Sequence, residues 1–123
     1  MNTGREKILV VDDDDTIRDG VSQMLCRLGY AVLSAESGEK GLALFLKNKF
    51  DLVITDFNMS GMDGIHLAYQ VKEKSPATLV VLMTGDNKEV ILAKIKDTAV
   101  ARALFKPFTL VEMDKTIQGL LHP

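Results

Sequence analysis

KILVVDDDDTIRDGVSQMLCRLGYAVLSA, residues Lys7–Ala35, sets the reading of the whole chain. The apolar run Ile8–Val11 stops at four consecutive aspartates, Asp12–Asp15. Beyond them Ile17, Val21, Met24, Leu25 and Leu28 recur at helical spacing, and Gly29 follows as a C-terminal stop. A second apolar run, Ala31–Ala35, comes next. The passage reads as strand, helix, strand, with acids where the first strand gives way to the helix.

The alternation continues. Three further apolar runs follow: DLVITD (Asp51–Asp56), TLVVLMT (Thr78–Thr84) and ARALF (Ala101–Phe105). Ile8–Val11, Leu52–Ile54 and Leu79–Leu82 are continuously apolar, as strands buried on both faces of a parallel sheet are. A second helix is expected after Ser37, with Leu42, Phe45 and Leu46. A third runs from Asp63-Gly64 to about Lys74, before Ser75-Pro76. A fourth, the least regular, covers about Asn87 to Lys96. The fifth is the best marked. Thr109 and Glu112 are spaced as a capping box, and Phe108 and Met113 as a hydrophobic staple. Leu110, Met113, Ile117, Leu120 and Leu121 then form one apolar face.

The order βαβαβαβαβα predicts an α/β protein, a doubly wound parallel sheet with helices on both faces. The pattern alone does not fix strand order, but five strands suit the flavodoxin-like order 2-1-3-4-5, a (βα)5 three-layer sandwich. In such folds ligands sit beyond the carboxyl ends of the strands, at the switch point.

Composition narrows the class. The chain has 123 residues, room for one domain, of which 46% are hydrophobic and 26% charged. A net charge of −2 argues against a domain-wide nucleic-acid footprint. One cysteine, Cys26, permits no internal disulfide. MNTGREK, Met1–Lys7, lacks an apolar leader, and no run approaches a membrane span. A soluble, cytoplasmic domain is the expectation.

Polar groups close four of the five strands: Asp12 to Asp15, Asp56, Thr84, and Lys106-Pro107. Asp14 and Asp15 fit an ordinary role at the start of a helix. If the strand order holds, Asp12, Asp13 and Asp56 converge, and one lysine cannot neutralise three carboxylates. Either some are protonated or a cation is present. Oxygen donors without His or Cys favour Mg²⁺ or Mn²⁺ over zinc or copper, and Mg²⁺ is commonly shared between carboxylates and a phosphoryl oxygen. Lys106 is suited to holding a phosphoryl oxygen, and the Thr84 hydroxyl to donating to another.

Four motifs, VVDD (Val10–Asp13), VITDFNMSGMDG (Val53–Gly64), LMTG (Leu82–Gly85) and FKPF (Phe105–Phe108), stand in the order and spacing of the receiver domain of two-component response regulators, which the chain resembles along its length. The resemblance implies a single receiver domain over 1–123, with its core at about 6–121. It implies that Asp56 is the phosphoacceptor, that Asp12, Asp13, Asp56 and the backbone carbonyl of Asn58 hold Mg²⁺ (Mn²⁺ being possible), and that Thr84 and Lys106 bind the phosphoryl group. Such a domain is a signalling switch rather than an enzyme, although it assists its own phosphorylation and dephosphorylation. The donor is a phosphohistidine on a sensor histidine kinase or phosphotransfer protein. The output is a downstream protein effector, read on helix 4, strand 5 and helix 5, where Lys88, Lys94, Lys96, Arg102 and Lys115 fall. No direct nucleic-acid or membrane contact is implied, and the domain is a monomer or weak dimer. The Lys106-Pro107 peptide is often cis in this family.

The chain departs from the family pattern in three places. Ser60 replaces a usual proline, Ala103 a usual switching aromatic, and Thr98-Ala99-Val100 a usual Gly-Ala pair. Phe105, on the same strand face as Ala103, is a candidate substitute. The resemblance also implies that Asn58 and Asp86 occupy positions that tune dephosphorylation. His66 and His122 are expected at the surface, Cys26 packed or half-exposed, and Met59 and Met62 in packing. The acidic run is not an EF-hand, because Ile17 stands where that loop needs glycine. Two other readings remain. VVDDDDT also matches the DxDxT opening of haloacid-dehalogenase-like phosphatases, with Asp12 as nucleophile and Asp14 as acid, but that leaves Asp56 and its loop unused. A phosphorylation-independent docking receiver would keep the same residues.

Overall fold

A computed structural model describes residues 5–123. Five strands alternate with five helices: β1 (Lys7–Val11), α1 (Asp15–Arg27), β2 (Ala31–Ala35), α2 (Gly38–Lys47), β3 (Leu52–Asp56), α3 (Gly64–Lys74), β4 (Leu79–Thr84), α4 (Lys88–Ile95), β5 (Arg102–Phe105) and α5 (Leu110–Leu121). All pairings are parallel, in the order β2-β1-β3-β4-β5. The expected architecture is the observed one.

The continuously apolar strands divide their side chains between two cores, because successive residues point to opposite faces. Ile8, Val10, Leu52, Ile54, Val81 and Met83 pack with Val21 and Leu25 of α1 and Met113 and Ile117 of α5. Leu9, Val11, Val53, Val80 and Leu82 pack with Phe45 of α2, Leu67, Ala68 and Val71 of α3, and Ile91 of α4. The sheet is therefore the middle layer of three. Burying one such Leu or Ile contributes roughly 1.5–3 kcal/mol.

Local chemistry sets the helix ends. Asp14 caps α1 by accepting from the Ile17 N–H, and Gly29 beyond its end adopts φ 97°, a left-handed conformation suited to glycine. Asp63 caps α3 in the same way through the His66 N–H. Thr109 and Glu112 form the full capping box of α5, and Phe108 packs on the same core as Met113.

Some expectations shift. The strands β3, β4 and β5 each begin one residue later than the apolar runs, and β1 ends where its run does, at Val11. Leu46 is not a core residue. It lies one helical step from buried Phe45 and is 57% exposed. In α4 only Ile91 is buried, while Val90 and Leu92 face solvent. Cys26 is exposed rather than packed or half-exposed. His66 is exposed, and His122 pairs with Glu6 at 3.0 Å on the surface. Met59 and Met62 do pack against the second core. Among the described residues no helix is long and apolar enough to cross a membrane.

Candidate functional site

The strand order reverses direction between β1 and β3, so the crevice at their carboxyl ends is where this architecture places ligands. The residues that end β1 and β3 are Asp12, just past Val11, and Asp56. Carboxylate oxygens of Asp12, Asp13 and Asp56 lie within 4.8 Å of one another. Asp12 and Asp56 are buried, and Asp13 is exposed at the rim.

Lys106 arrives from the end of β5. Its main-chain N–H donates to the Thr84 carbonyl at 2.7 Å, which extends the sheet ladder by one bond. Its Nζ donates to Asp56 Oδ1 at 3.1 Å and lies 3.6 Å from Asp12 Oδ2. The Lys106-Pro107 peptide is cis, as the resemblance anticipates. Thr84 is fully buried at the end of β4, and its Oγ1 accepts from the Asp86 N–H at 3.0 Å. Among the described residues no protein acceptor takes the proton of that hydroxyl, which leaves it available to a ligand.

The electrostatics are unbalanced. Three carboxylates meet one ammonium, leaving two negative charges when all are ionised, the charge of one divalent cation. Asp56 responds by holding its proton more tightly than an ordinary carboxyl. Burial is the largest cause, the Lys106 ammonium opposes it, and Asp12 and Asp13 add to it. Asp12 is held closely. Its N–H donates to the Ala35 carbonyl at 3.1 Å, its Oδ1 accepts from the Asp14 N–H at 2.9 Å, and its main-chain oxygen accepts from Arg18 Nη1 at 2.8 Å. Only Oδ2 is left, buried and, among the described residues, without a hydrogen bond, its one ion-pair contact being the Lys106 ammonium 3.6 Å away. A buried carboxylate oxygen that accepts no hydrogen bond is costly unless something outside the protein completes it. The oxygen-only donor set and this orphaned atom fit a hard divalent cation.

The loop after β3 folds tightly against the site. The Phe57 N–H donates to the Met83 carbonyl at 2.9 Å, and the Gly64 N–H to the Phe57 carbonyl at 3.2 Å. A Cβ on Gly64 would lie 2.6 Å from the Asp56 carbonyl oxygen and 2.5 Å from Leu82 Cδ1. Glycine is what lets α3 start this close to the acid. Asn58 is exposed in the same loop, and its Nδ2 donates to Asp86 Oδ2 at 3.3 Å, linking the β3–α3 and β4–α4 loops. Lys94 of α4 lies over the Phe57 ring, 5.2 Å from its centroid. Ala103 and Phe105 share the second core, with Phe105 in register with Thr84.

The structure thus brings together Asp12, Asp13, Asp56 and Lys106, places Thr84 at the adjoining strand end, and sets Asn58 at the rim. Sequence reasoning missed Arg18 and the requirement at Gly64. A lone basic residue in the first turn after four acids was the available signal for Arg18.

Comparison with known proteins agrees with this geometry. The family model described as the response regulator receiver domain matches residues 8–118. The chain belongs to the response regulator receiver family. The receiver is 34% identical over 120 residues to the transcriptional regulatory protein ResD of Bacillus subtilis, covering 98% of this chain and 50% of ResD. It therefore spans half the length of that relative. Among solved structures it resembles the Vibrio cholerae chemotaxis protein CheY4, with TM-score 0.90 and 32% identity over 96% of this chain and 100% of that one. It also resembles the response regulator TrrA of Thermotoga maritima, solved in complex with Mg(2+)-BeF, with TM-score 0.85 and 30% identity over 94% and 99% of the two chains. The receiver is a signalling domain of two-component systems, and nothing in these likenesses favours a phosphatase or a phosphorylation-independent module.

Proposed function

We propose that the receiver accepts a phosphoryl group on Asp56 from a phosphohistidine of a sensor histidine kinase or phosphotransfer protein. The observation that carries this reading is the state of the two buried acids: Asp56 has one oxygen held by Lys106, and Asp12 Oδ2 beside it has no hydrogen-bond partner. A carboxylate oxygen of Asp56 attacks phosphorus. The O–P bond forms as the N–P bond of the donor breaks, and the electron pair stays on the imidazole nitrogen, which takes up a proton. Negative charge on the transferring oxygens must be met by fixed groups. The Lys106 ammonium meets one oxygen and the Thr84 hydroxyl donates to another.

Asp12, Asp13 and Asp56, with the Asn58 backbone carbonyl, would hold Mg²⁺, or Mn²⁺ in its place. Bound there, the cation supplies charge neutralisation for the phosphoryl oxygens. The complex of the relative TrrA with Mg(2+)-BeF supports magnesium. The phosphatase reading has no such support, since Asp14, its required acid, is occupied in capping α1.

The receiver acts as one unit over 1–123, with its core at about 6–121, as a switch rather than an enzyme, assisting only its own phosphorylation and dephosphorylation. It works in the cytoplasm as a monomer or weak dimer, without contacting nucleic acid or membrane. The modification biases a two-state equilibrium read by a downstream protein on α4, β5 and α5. The exposed Lys88, Lys94, Lys96, Arg102 and Lys115, with exposed Val90, Leu92 and Val111, support that face.

Intact-protein mass after incubation with acetyl phosphate tests this. The reading expects one added phosphoryl group with Mg²⁺, none with EDTA, and none in Asp56→Asn. No addition with any divalent ion would favour the docking module. Phosphate release that survives Asp56→Asn and is lost in Asp12→Asn would favour the phosphatase.

A further inference from the structure

We infer that Arg18 is a positioning residue for the divalent-cation site, clamping the acidic loop by its two ends. The argument rests on the reading of Asp12, Asp13 and Asp56 as that site. The ladders of β1 with β2 and with β3 both stop at Val11, and among the described residues no backbone donor meets the Asp12 carbonyl. Arg18 supplies it, folding back across the first turn of α1 so that Nη1 donates to Asp12 O at 2.8 Å. The other arm, Nη2, pairs with Asp15 Oδ1 at 2.5 Å. One planar guanidinium thus joins the first and last acids of Asp12–Asp15, with Asp13 on the span between them.

The two arms are unequal. Asp15 is 81% exposed, and an ion pair there contributes little alone. Arg18 itself is only 16% exposed and meets a carbonyl at the sheet end, where losing the donor leaves a polar group poorly solvated. With the Asp12 peptide fixed by Ala35 and Arg18, and Oδ1 fixed by Asp14, Oδ2 has one direction left. The fork therefore orients a metal-facing oxygen without touching it, as outer-shell partners of ligands do elsewhere.

Positioning and charge predict opposite signs. Arg18 is a cation beside acids, so if only its charge mattered, removing it would tighten Mg²⁺ binding. If it positions the loop, removing it weakens binding. Titration of wild type, Arg18→Met and Arg18→Lys with Mg²⁺ alone, followed by calorimetry at low ionic strength, separates these. The expected Kd rises by about 10-fold in Arg18→Met. In Arg18→Lys, which keeps the charge and loses the fork, it rises by less than in Arg18→Met, a partial rescue. Urea denaturation in EDTA supplies a readout of fold stability. An unchanged or tighter Kd in Arg18→Met, with or without a loss of stability, overturns the inference. If Arg18→Met does not fold, Arg18→Lys decides, and wild-type affinity there overturns it. A wild type that gives no Mg²⁺ signal overturns the cation-site reading, and this inference with it. Weakening in both variants after normal wild-type binding supports both.

Discussion

Asp56 is asked to be buried, charged and beside two like charges, and its proton affinity records the conflict. Its carboxyl is pushed above the ordinary range by burial, with Asp12 and Asp13 adding and Lys106 opposing. For a group whose folded pKa is raised, the stabilising contribution is complete below the unfolded pKa, near 3.9, and is lost as pH rises through the folded value. At neutral pH without metal, ionised Asp56 therefore costs stability. Asp56→Asn in EDTA should melt higher than wild type at pH 7, by roughly 2–5 °C. The gap should narrow as pH is lowered, because a growing fraction of wild-type Asp56 then carries its proton. Thermal scans by circular dichroism across that range check this, and an Asn variant no more stable at pH 7 would contradict it. At this scale the acids, Thr84 and Lys106 were legible in the sequence, since each directly follows an apolar strand. Arg18 was not, because its role depends on a side chain turning back to a main-chain oxygen six residues earlier.

Among the elements, the strands were readable because burial on both faces leaves an unbroken apolar run. The helices varied with their capping and their faces. α5 has its capping box and a single apolar stripe and was read to within a residue. α4 has one buried residue, Ile91, and exposed apolar neighbours, so no period could define it. The exposure of Leu46 was obscured too: adjacent positions of a helix can share its apolar face, so a leucine beside Phe45 reads as part of that face although it is 57% exposed. The close approach of α3 to β3 was hidden too, since a glycine after an N-cap reads as an ordinary helix start. Gly64→Ala tests that contact. Overpacking against Asp56 and Leu82 should destabilise by about 1–3 kcal/mol. It should also slow phosphorylation by acetyl phosphate more than a surface change such as Ser60→Ala does. Chemical denaturation and the rate of mass increase measure the two effects. A Gly64→Ala protein with wild-type values of both would show that the loop yields without cost.

In the molecule as a whole, two cores fix the sheet and leave the chemistry to its carboxyl edge, where the acids stay apart from the apolar interior. On the proposed reading a cation completes that edge, which would link metal and fold. Mg²⁺ at 100 times its Kd should stabilise the receiver by about 2.7 kcal/mol. Asp13→Asn, which alters the exposed acid of the proposed site and leaves the buried pair intact, should remove most of that gain while leaving the metal-free melting temperature within about 2 °C of wild type. Equal stabilisation of wild type and Asp13→Asn, read by melting with and without Mg²⁺, would separate the cation from these acids. The family assignment covers residues 8–118, and the fold and the convergence of the site follow from one sequence pattern. The proposed coupling from the site to α4 and β5 was less legible, because Ala103 stands where a switching aromatic is usual and the Lys94–Phe57 contact joins elements far apart in sequence. The central claim is that one particular carboxylate carries the phosphoryl group. Borohydride reduces an acyl phosphate to an alcohol, so reduction of the phosphorylated receiver followed by peptide sequencing by mass spectrometry locates it directly. The account predicts homoserine at position 56 and aspartate unchanged at 12 and 13. Homoserine at position 12 or 13, or none in a protein that has gained a phosphoryl group, would contradict it.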